Sequence, residues 1–170
     1  MDIAKAPNAA NISAAFGDDD HELQSGLECA IAACSRATTR EACAHFALFA
    51  AGLRRHMRAE DNVLFPAFEA HTGLRDGGPT TVMRRDHREF EERLQQIGES
   101  LRRGEDAAVA EQRLLALRDR LADHDRREEM VLYPTCDRLL NARVRFACVH
   151  ALPRIRLAVC HESSMERSSA

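Results

Sequence analysis

The sequence has no tryptophan, few aromatic residues of any kind and no long hydrophobic run. Aromatic residues make up 5% of the 170 residues, whereas 45% are hydrophobic and 30% are charged. Such a composition, rich in alanine, leucine, arginine and glutamate, favours helices over sheets. The length suits one domain with a real core and is short for two. We therefore expect a single all-helical domain.

Two classes of partner are disfavoured by what the sequence lacks. No stretch approaches the roughly 20 apolar residues that a membrane-spanning helix needs, and residues 1–17 contain no apolar core of signal-peptide length. A net charge of -3 and a pI near 6.2 give no basic surface for nucleic acid. We predict a cytoplasmic protein without a membrane or nucleic-acid partner.

The six cysteines lack the spacing of a disulfide framework or of a thiolate metal site. None belongs to a Cys-x-x-Cys motif or to a closely spaced set. We expect neither kind of site, and we expect most of these cysteines to be small buried apolar residues.

The sequence does contain one eleven-residue segment in two copies. Residues 56–66 read HMRAEDNVLFP and residues 124–134 read HDRREEMVLYP. Each copy begins with a histidine that is followed four residues later by a glutamate. In both copies these two residues continue an apolar stripe whose members are spaced by three and four, which is typical of one face of a helix.

Breaks in the sequence divide it into four predicted helices. The segment TGLRDGGP from Thr72 is the strongest break, and Gly104 marks another. Four amphipathic helices with short connections predict an antiparallel up-down four-helix bundle over residues 18–141. Residues 1–17 are predicted to be a flexible N-terminal segment, and residues 142–170 a C-terminal tail of unknown role.

The acidic run Asp18, Asp19, Asp20 is assigned to the entry of the first helix, because carboxylates favour the positive end of the helix dipole. His21 follows directly, near the start of the helix and on a face next to its apolar one. The third predicted helix carries His87 on its apolar stripe. The number of residues from His87 to the second HxxxE motif nearly equals the number from His21 to the first HxxxE motif.

Histidine and glutamate side chains on a buried stripe lose their hydration, and another interaction must compensate this loss. A lone buried carboxylate costs several kcal/mol or becomes protonated, whereas coordination of a cation uses its lone pairs. At positions i and i+4 the two side chains lie about 40° apart around the helix and about 6 Å apart along it, so both reach one site. Four imidazoles and two carboxylates are too many for one ion and suit two ions bridged by the glutamates. The six residues are His21, His56, Glu60, His87, His124 and Glu128.

This pattern resembles the hemerythrin-like (HHE) cation-binding domains over residues 18–141. The order His, HxxxE, His, HxxxE and the LFP-type sequence after each HxxxE carry the resemblance. The resemblance implies a non-haem di-iron site with carboxylate bridges in an antiparallel bundle. Carried over by position, His21 and His56 bind one iron, His87 and His124 bind the other, and Glu60 and Glu128 bind both.

The sequence departs from the hemerythrins that carry oxygen. Those proteins have HxxxH on the third helix and an aspartate bridge on the fourth, whereas this chain has His87 with Glu91 and a glutamate bridge at Glu128. The set is closer to bacterial HHE proteins of nitrosative and oxidative stress. Glu91, one turn after His87, is either a further ligand of the second iron or a solvated helix residue.

Three functions remain open. The first is binding or sensing of O2, NO or peroxide in stress response or iron handling, since five or fewer protein donors per iron leave a coordination position open. The second is a di-iron peroxidase or oxidase, or an iron-centre repair protein. An enzymatic role is less favoured, because no acid–base pair outside the metal ligands is readable. The third is a structural bundle that holds Zn or Mn.

Overall fold

The computed structural model describes residues 10–36 and 39–152, and these residues form helices and no strand. Two π-helical turns, Glu60–Leu64 and Glu128–Leu132, interrupt the helical course. None of the helices in the described ranges is long and apolar enough to cross a membrane. The helices in chain order are α1 (Ile12–Ser35), α2 (Thr39–Ala59), α3 (Phe65–Thr72), α4 (Pro79–Arg103), α5 (Ala107–Arg127), α6 (Tyr133–Leu139) and α7 (Ala142–Ala151).

The four long helices surround a common core. Helix α1 packs against α2 and α5, and α4 packs against the same two helices. The predicted breaks lie where the helices end: Pro79 opens α4, and Gly104 closes it with φ 67. Proline suits the first turn because it lacks an N–H, and glycine suits the left-handed C-cap because it has no Cβ. The predicted all-helical class is confirmed.

Helix α1 begins earlier than predicted. It starts at Ile12, and Ile12 and Phe16 are fully buried. The physical reason lies far along the chain, since the Asp137 carboxylate accepts hydrogen bonds from the backbone N–H groups of Ile12 at 2.7 Å and Ser13 at 2.9 Å. Two free N–H groups of the first turn are thereby satisfied. The prediction of a flexible segment is therefore wrong for residues 12–17, and residues 1–9 lie outside the described ranges.

The beginning of the predicted tail is a helix. Asn141 caps α7 by accepting a hydrogen bond from the N–H of Val144 at 3.1 Å. Arg145 donates to the carbonyl oxygens of Ala10 and Leu140 at 3.0 and 2.6 Å, and Cys148 is fully buried. Residues 142–152 therefore pack onto the helical domain, which corrects the predicted boundary; the remainder of the predicted tail lies outside the described residues.

The cysteines only partly follow the expectation. Cys29 takes part in a disulfide, so the expectation of no disulfide is wrong at this position. Cys34, Cys43, Cys136 and Cys148 are free, and all but Cys43 are buried.

The buried apolar residues form two separate clusters. The larger, here called the lower core, includes Leu27, Leu53 and Leu94 from the middle of the long helices. The smaller, here called the upper core, includes Phe16 and Leu132. Each long helix or its continuation contributes to both clusters. Along α1, α4 and α5 with its continuation, buried polar residues lie between the two contributions. Along α2, the buried residues His56 and Glu60 flank the point where the lower core ends at Met57 and the upper core begins at Ala59.

Candidate metal centre

Six of the buried acidic and histidine side chains bring donor atoms close together between the lower and the upper core. None is more than 4% exposed. They come from α1, α2, α4, α5 and the two π turns. Such groups are almost never buried unless they are paired or bind a cation. The six are Asp20, His56, Glu60, His87, His124 and Glu128.

The repeated sequence motif produces a repeated distortion of the helix. The N–H of Phe65 binds the carbonyl oxygen of Glu60, five residues earlier, instead of the oxygen four residues earlier. Pro66, next along the chain, has no N–H, and its ring would clash with the carbonyl four residues before it in a regular helix. Tyr133 and Glu128 make the same bond in the second copy. Each copy thus places its glutamate at the start of a widened turn, a feature often found at functional sites.

The histidine of the first HxxxE motif lies between two carboxylates, one from α1 and one from the motif itself. Nε2 of His56 lies 3.1 Å from Oδ1 of Asp20 and 3.4 Å from Oε2 of Glu60. The same Oε2 atom of Glu60 lies 3.3 Å from Nε2 of His87 on α4. Glu60 therefore lies between two imidazoles from different helices.

The second motif completes the ring of donors. Nε2 of His124 lies 3.2 Å from Oε2 of Glu128. Donor atoms within 4.8 Å of one another define two groups in the described residues, and Glu128 belongs to both. One group consists of Asp20, His56 and Glu128, and the other of Glu60, His87, His124 and Glu128.

Each histidine has a second carboxylate behind it, at Nδ1. An Nδ1–H that donates to a carboxylate leaves the Nε2 lone pair directed into the site, which is the usual arrangement of a metal-binding histidine. Asp61, which directly follows Glu60 in the chain, is one of these carboxylates. The hydrogen-bonded pairs are His56 with Asp19 at 2.8 Å and His87 with Asp61 at 3.0 Å. Nδ1 of His124 lies 3.5 Å from Oδ2 of Asp86, which is an ion-pair distance without a hydrogen bond.

Aromatic rings hold the imidazoles in position. The Phe65 ring stacks on His87 with centroids 5.5 Å apart. The rings of Phe16 and Phe90 meet His56 and His124 edge to face, with centroids 5.6 and 5.1 Å apart. Packed rings of this kind restrict rotation of the imidazoles about their side-chain bonds.

Tyr133 is the one phenol of the chain, and it is fully buried at the centre. Its hydroxyl lies within hydrogen-bonding distance of Oε1 of Glu60 at 2.8 Å and of Oε2 of Glu128 at 2.9 Å. It also lies 3.4 Å from Nε2 of His56. Burial and the carboxylates of Glu128 and Glu60 raise the pKa of Tyr133 well above its usual value, so the phenol keeps its proton.

Protonated imidazoles compensate the charge of the carboxylates in the centre. Burial lowers the pKa of His56, but the carboxylates of Glu60 and Asp20 outweigh burial and raise it well above its usual value. Burial likewise lowers the pKa of His124, but the carboxylates of Glu128, Asp86 and Glu60 together outweigh burial and raise this pKa to about 10. Each imidazole therefore carries a proton that a bound cation must displace.

The carboxylates differ among themselves. Burial raises the pKa of Glu60, but His56 and His87 outweigh burial and hold it well below its usual value. Burial and the charge of Glu60 raise the pKa of Glu128. Burial raises the pKa of Asp20 as well, despite the opposing effect of His56. Repulsion among three buried carboxylates is what a cation between them would remove.

The unpaired atoms of the centre fit a cation. Oε2 of Glu60, Nε2 of His87 and Oε1 of Glu128 are buried and form no hydrogen bond with the described residues, although Oε2 of Glu60 and Nε2 of His87 lie 3.3 Å apart as an ion pair. A buried polar atom without a partner costs about 1–3 kcal/mol, and more if it is charged. Imidazole nitrogen and carboxylate oxygen are common ligands of iron, zinc and manganese. The residues present therefore suit a divalent metal.

The structure brings together five of the seven residues that the sequence predicted as ligands: His56, Glu60, His87, His124 and Glu128. It does not bring His21 or Glu91 to them. The His21 side chain is exposed and lines a separate surface depression with Gln24 and Arg118. Glu91 accepts two hydrogen bonds from Arg54, at 2.8 and 2.9 Å. Of the two residues predicted on α4, His87 alone belongs to a donor group.

Sequence reasoning missed Asp20 and Tyr133. A signal for Asp20 was present, because Phe16, Asp20, Leu23 and Leu27 follow one another at steps of four, three and four on one stripe of α1. Because residues 18–20 were interpreted as the start of the helix, Phe16 was not counted as part of this stripe. For Tyr133 the signal is the exchange of phenylalanine for tyrosine between the two copies of the motif.

Comparisons with known proteins agree with this geometry. A protein-family profile described as the Hemerythrin HHE cation binding domain matches residues 12–136. The matched range contains both donor groups and both π turns. Searches of curated proteins and of solved structures gave no match.

Proposed function

Because the chain belongs to the hemerythrin HHE cation-binding domain family, we propose that it is a cytoplasmic non-haem di-iron protein. We propose further that it binds or senses O2, NO or peroxide in stress response or iron handling. The observation that carries the proposal is the pair of donor groups joined through Glu128. Support also comes from helix contacts compatible with an antiparallel up-down four-helix bundle, since neighbouring long helices follow one another around the core.

In this proposal Asp20 takes the place that the sequence assigned to His21. Asp20 and His56 would hold one iron, and His87 and His124 would hold the other, in line with the two donor groups. Glu60 contacts imidazoles of both sets and Glu128 belongs to both donor groups, so both glutamates would contribute to both sides of the centre. A pair of ferrous ions would supply electrons and coordination positions that the protein leaves open, because each ion has fewer than six protein donors.

The surrounding residues define what a small ligand would meet. The rings of Phe16, Phe65 and Phe90 border the histidines, and the six donor residues are at most 4% exposed. Tyr133 keeps its proton and is positioned to donate a hydrogen bond beside the two glutamates. A buried centre with one phenolic hydrogen-bond donor suits a small polarisable ligand better than a large substrate.

Metal analysis and gas exposure test the proposal. Protein purified from iron-supplied cells should contain close to two irons per chain, and zinc at one per chain would contradict it. The reduced protein should change its charge-transfer absorption on exposure to O2 or NO. A spectrum that neither gas alters would favour a storage or structural role.

A pair of neighbouring variants tests the assignment of α1. We expect Asp20→Ala to lower the affinity for iron by about tenfold or more, because it removes a donor. His21→Ala should leave the affinity unchanged, because His21 is exposed. Competition with a chelator, followed by absorption, measures both. The reverse ranking of the two variants would restore His21 as the ligand.

The affinity for metal should depend on pH. The pKa of His124 is about 10 without metal, so at neutral pH a cation must displace its proton. The apparent affinity should therefore rise as pH increases towards about 10, by up to about tenfold per pH unit for each proton released. Chelator competition at several pH values below that range measures the slope. An affinity that does not change with pH would contradict the protonated state of the metal-free centre.

Tyr133 favours a second candidate, a di-iron peroxidase or oxidase. A buried phenol within hydrogen-bonding distance of both proposed bridging glutamates is placed to deliver a proton to a reacting ligand. Turnover of peroxide with an added electron donor, and its loss in Tyr133→Phe with iron content preserved, would support this candidate. Absence of turnover in the unchanged protein would leave ligand binding as the function.

A further inference from the structure

A surface pocket between α2 and α4 has an excess of positive charge. Its volume is about 410 Å³, and four arginines line it against two carboxylates. The chain as a whole carries a net charge of -3, so this concentration of cations is not a consequence of overall composition. The arginines are Arg54, Arg58, Arg84 and Arg88, and the carboxylates are Asp61 and Glu91.

Both carboxylates of the pocket already have partners. Glu91 is bound by Arg54 at 2.8 Å. Asp61 lies 3.0 Å from Nδ1 of His87 and 3.8 Å from Nε of Arg84. Neither carboxylate forms an ion pair with the two remaining arginines, although the pKa of Glu91, which the hydrogen bond from Arg54 lowers, is lowered further by the charge of Arg58 from a longer distance.

Arg58 and Arg88 are these remaining cations. Both are exposed, and neither forms an ion pair or a side-chain hydrogen bond with any residue in the described ranges. They approach the pocket from different helices, Arg58 from α2 and Arg88 from α4. Two unpaired guanidinium groups therefore face one cavity from its two walls.

The spacing of the arginines increases the repulsion. Arg54 and Arg58 are four residues apart on α2, and Arg84 and Arg88 are four residues apart on α4. Like charges at this spacing are neighbours on the helix surface and destabilise it. An anion between the two helices would reverse this effect, because it attracts all four groups. Guanidinium groups also match the geometry of carboxylate and phosphate oxygens through paired N–H donors.

We propose that this pocket binds a small organic oxyanion with at least two negative charges, in the form of a dicarboxylate or a phosphate ester. Its volume lies within the range of roughly 300–1,000 Å³ that is typical of small-molecule sites. Arg58 and Arg88 bind the anionic groups, and Met57 supplies apolar contact. The anion site does not require an occupied metal centre, although His87 and Asp61 belong to its lining and the bound anion lies beside that pair.

Isothermal titration calorimetry with the full chain tests this site. The probes are succinate, inorganic phosphate and glycerol phosphate, in buffers matched for ionic strength; succinate and the phosphates distinguish the carboxylate from the phosphate source. We expect saturable binding of at least one probe. In the double variant Arg58→Ala with Arg88→Ala the affinity should fall by about tenfold or more, since two charge-assisted contacts are lost.

The control removes the same charge elsewhere. Arg138 on α6 and Arg143 on α7 are exposed, and neither lines the arginine pocket. Arg138→Ala with Arg143→Ala should bind the probe as the unchanged protein does. Absence of binding for every probe would overturn the proposal. Equal affinity of the Arg58/Arg88 variant and the unchanged protein would also overturn it, because the anion would then bind elsewhere, for example at the proposed metals. Loss of metal from the centre would leave the calorimetric difference between the two double variants intact.

Discussion

Replacing His56 and His124 together by alanine is expected to abolish iron binding. The two substitutions remove one imidazole from each donor group. Loss of a residue that merely supports a ligand typically costs 10- to 100-fold in metal affinity, so loss of a direct donor from both groups should lower the affinity by more than about 100-fold. Metal analysis after expression in iron-supplied cells measures the outcome, and retention of two irons would refute the assignment.

The matched control is a second pair of histidines outside the centre. His45 and His71 belong to neither donor group, so His45→Ala with His71→Ala should retain the iron of the unchanged protein. Circular dichroism checks that both variants are helical, because removal of one partner of a buried ion pair costs about 3–5 kcal/mol. A folded His56/His124 variant without iron separates loss of ligation from loss of structure.

Removal of the metal is expected to lower the melting temperature by about 10 °C. A ligand present at about a thousand times its dissociation constant stabilises the folded state by about 4 kcal/mol, and each kcal/mol shifts the midpoint by about 2–4 °C for a chain of this size. The reason in this protein is the burial of Asp20, Glu60 and Glu128 next to one another. Differential scanning calorimetry with and without a chelator measures the change.

The metal-free protein should nevertheless remain folded. Protonated His56 and His124 face the same carboxylates and compensate part of their charge, and the lower core contains no group of the centre. The Asp20→Ala variant should show a smaller chelator effect than the unchanged protein, because one of the repelling carboxylates is absent. A melting temperature that a chelator does not change would show that no metal stabilises the fold.

The helices and most of the centre were predictable, because both depend on local periodicity. The HxxxE motifs place His56 with Glu60, and His124 with Glu128, one turn apart on the same face, whatever the rest of the chain does. His87 lies on the stripe of its own helix and follows the same rule. These positions needed no knowledge of how the helices contact one another.

The choice between Asp20 and His21 depends on where α1 begins, because Phe16 joins the stripe of Asp20, Leu23 and Leu27 only if the helix starts before residue 16. Adjacent residues on a helix point about 100° apart, and both are common metal ligands. The rotation of α1 about its axis decides which one faces inward, and that rotation is fixed partly by Asp137, which binds the start of α1 from α6. A contact between residues so distant along the chain leaves no trace in local periodicity. The same reasoning applies to Arg145, whose hydrogen bonds to Ala10 and Leu140 attach α7 to the rest of the domain. The sequence predicted this segment to be part of a C-terminal tail.

The polar layer between the two apolar cores determines the register in which the helices pack against one another. Each long helix, together with its continuation, has one short stretch with buried charged or histidine side chains, and buried apolar residues lie on both sides of this stretch. Sliding any helix by a turn would press Glu60 or Glu128 against aliphatic neighbours and leave the opposing imidazoles without a counter-charge, at a cost of several kcal/mol. The buried charges therefore fix the register of the helices. They destabilise misaligned packings that a uniformly apolar interior would allow.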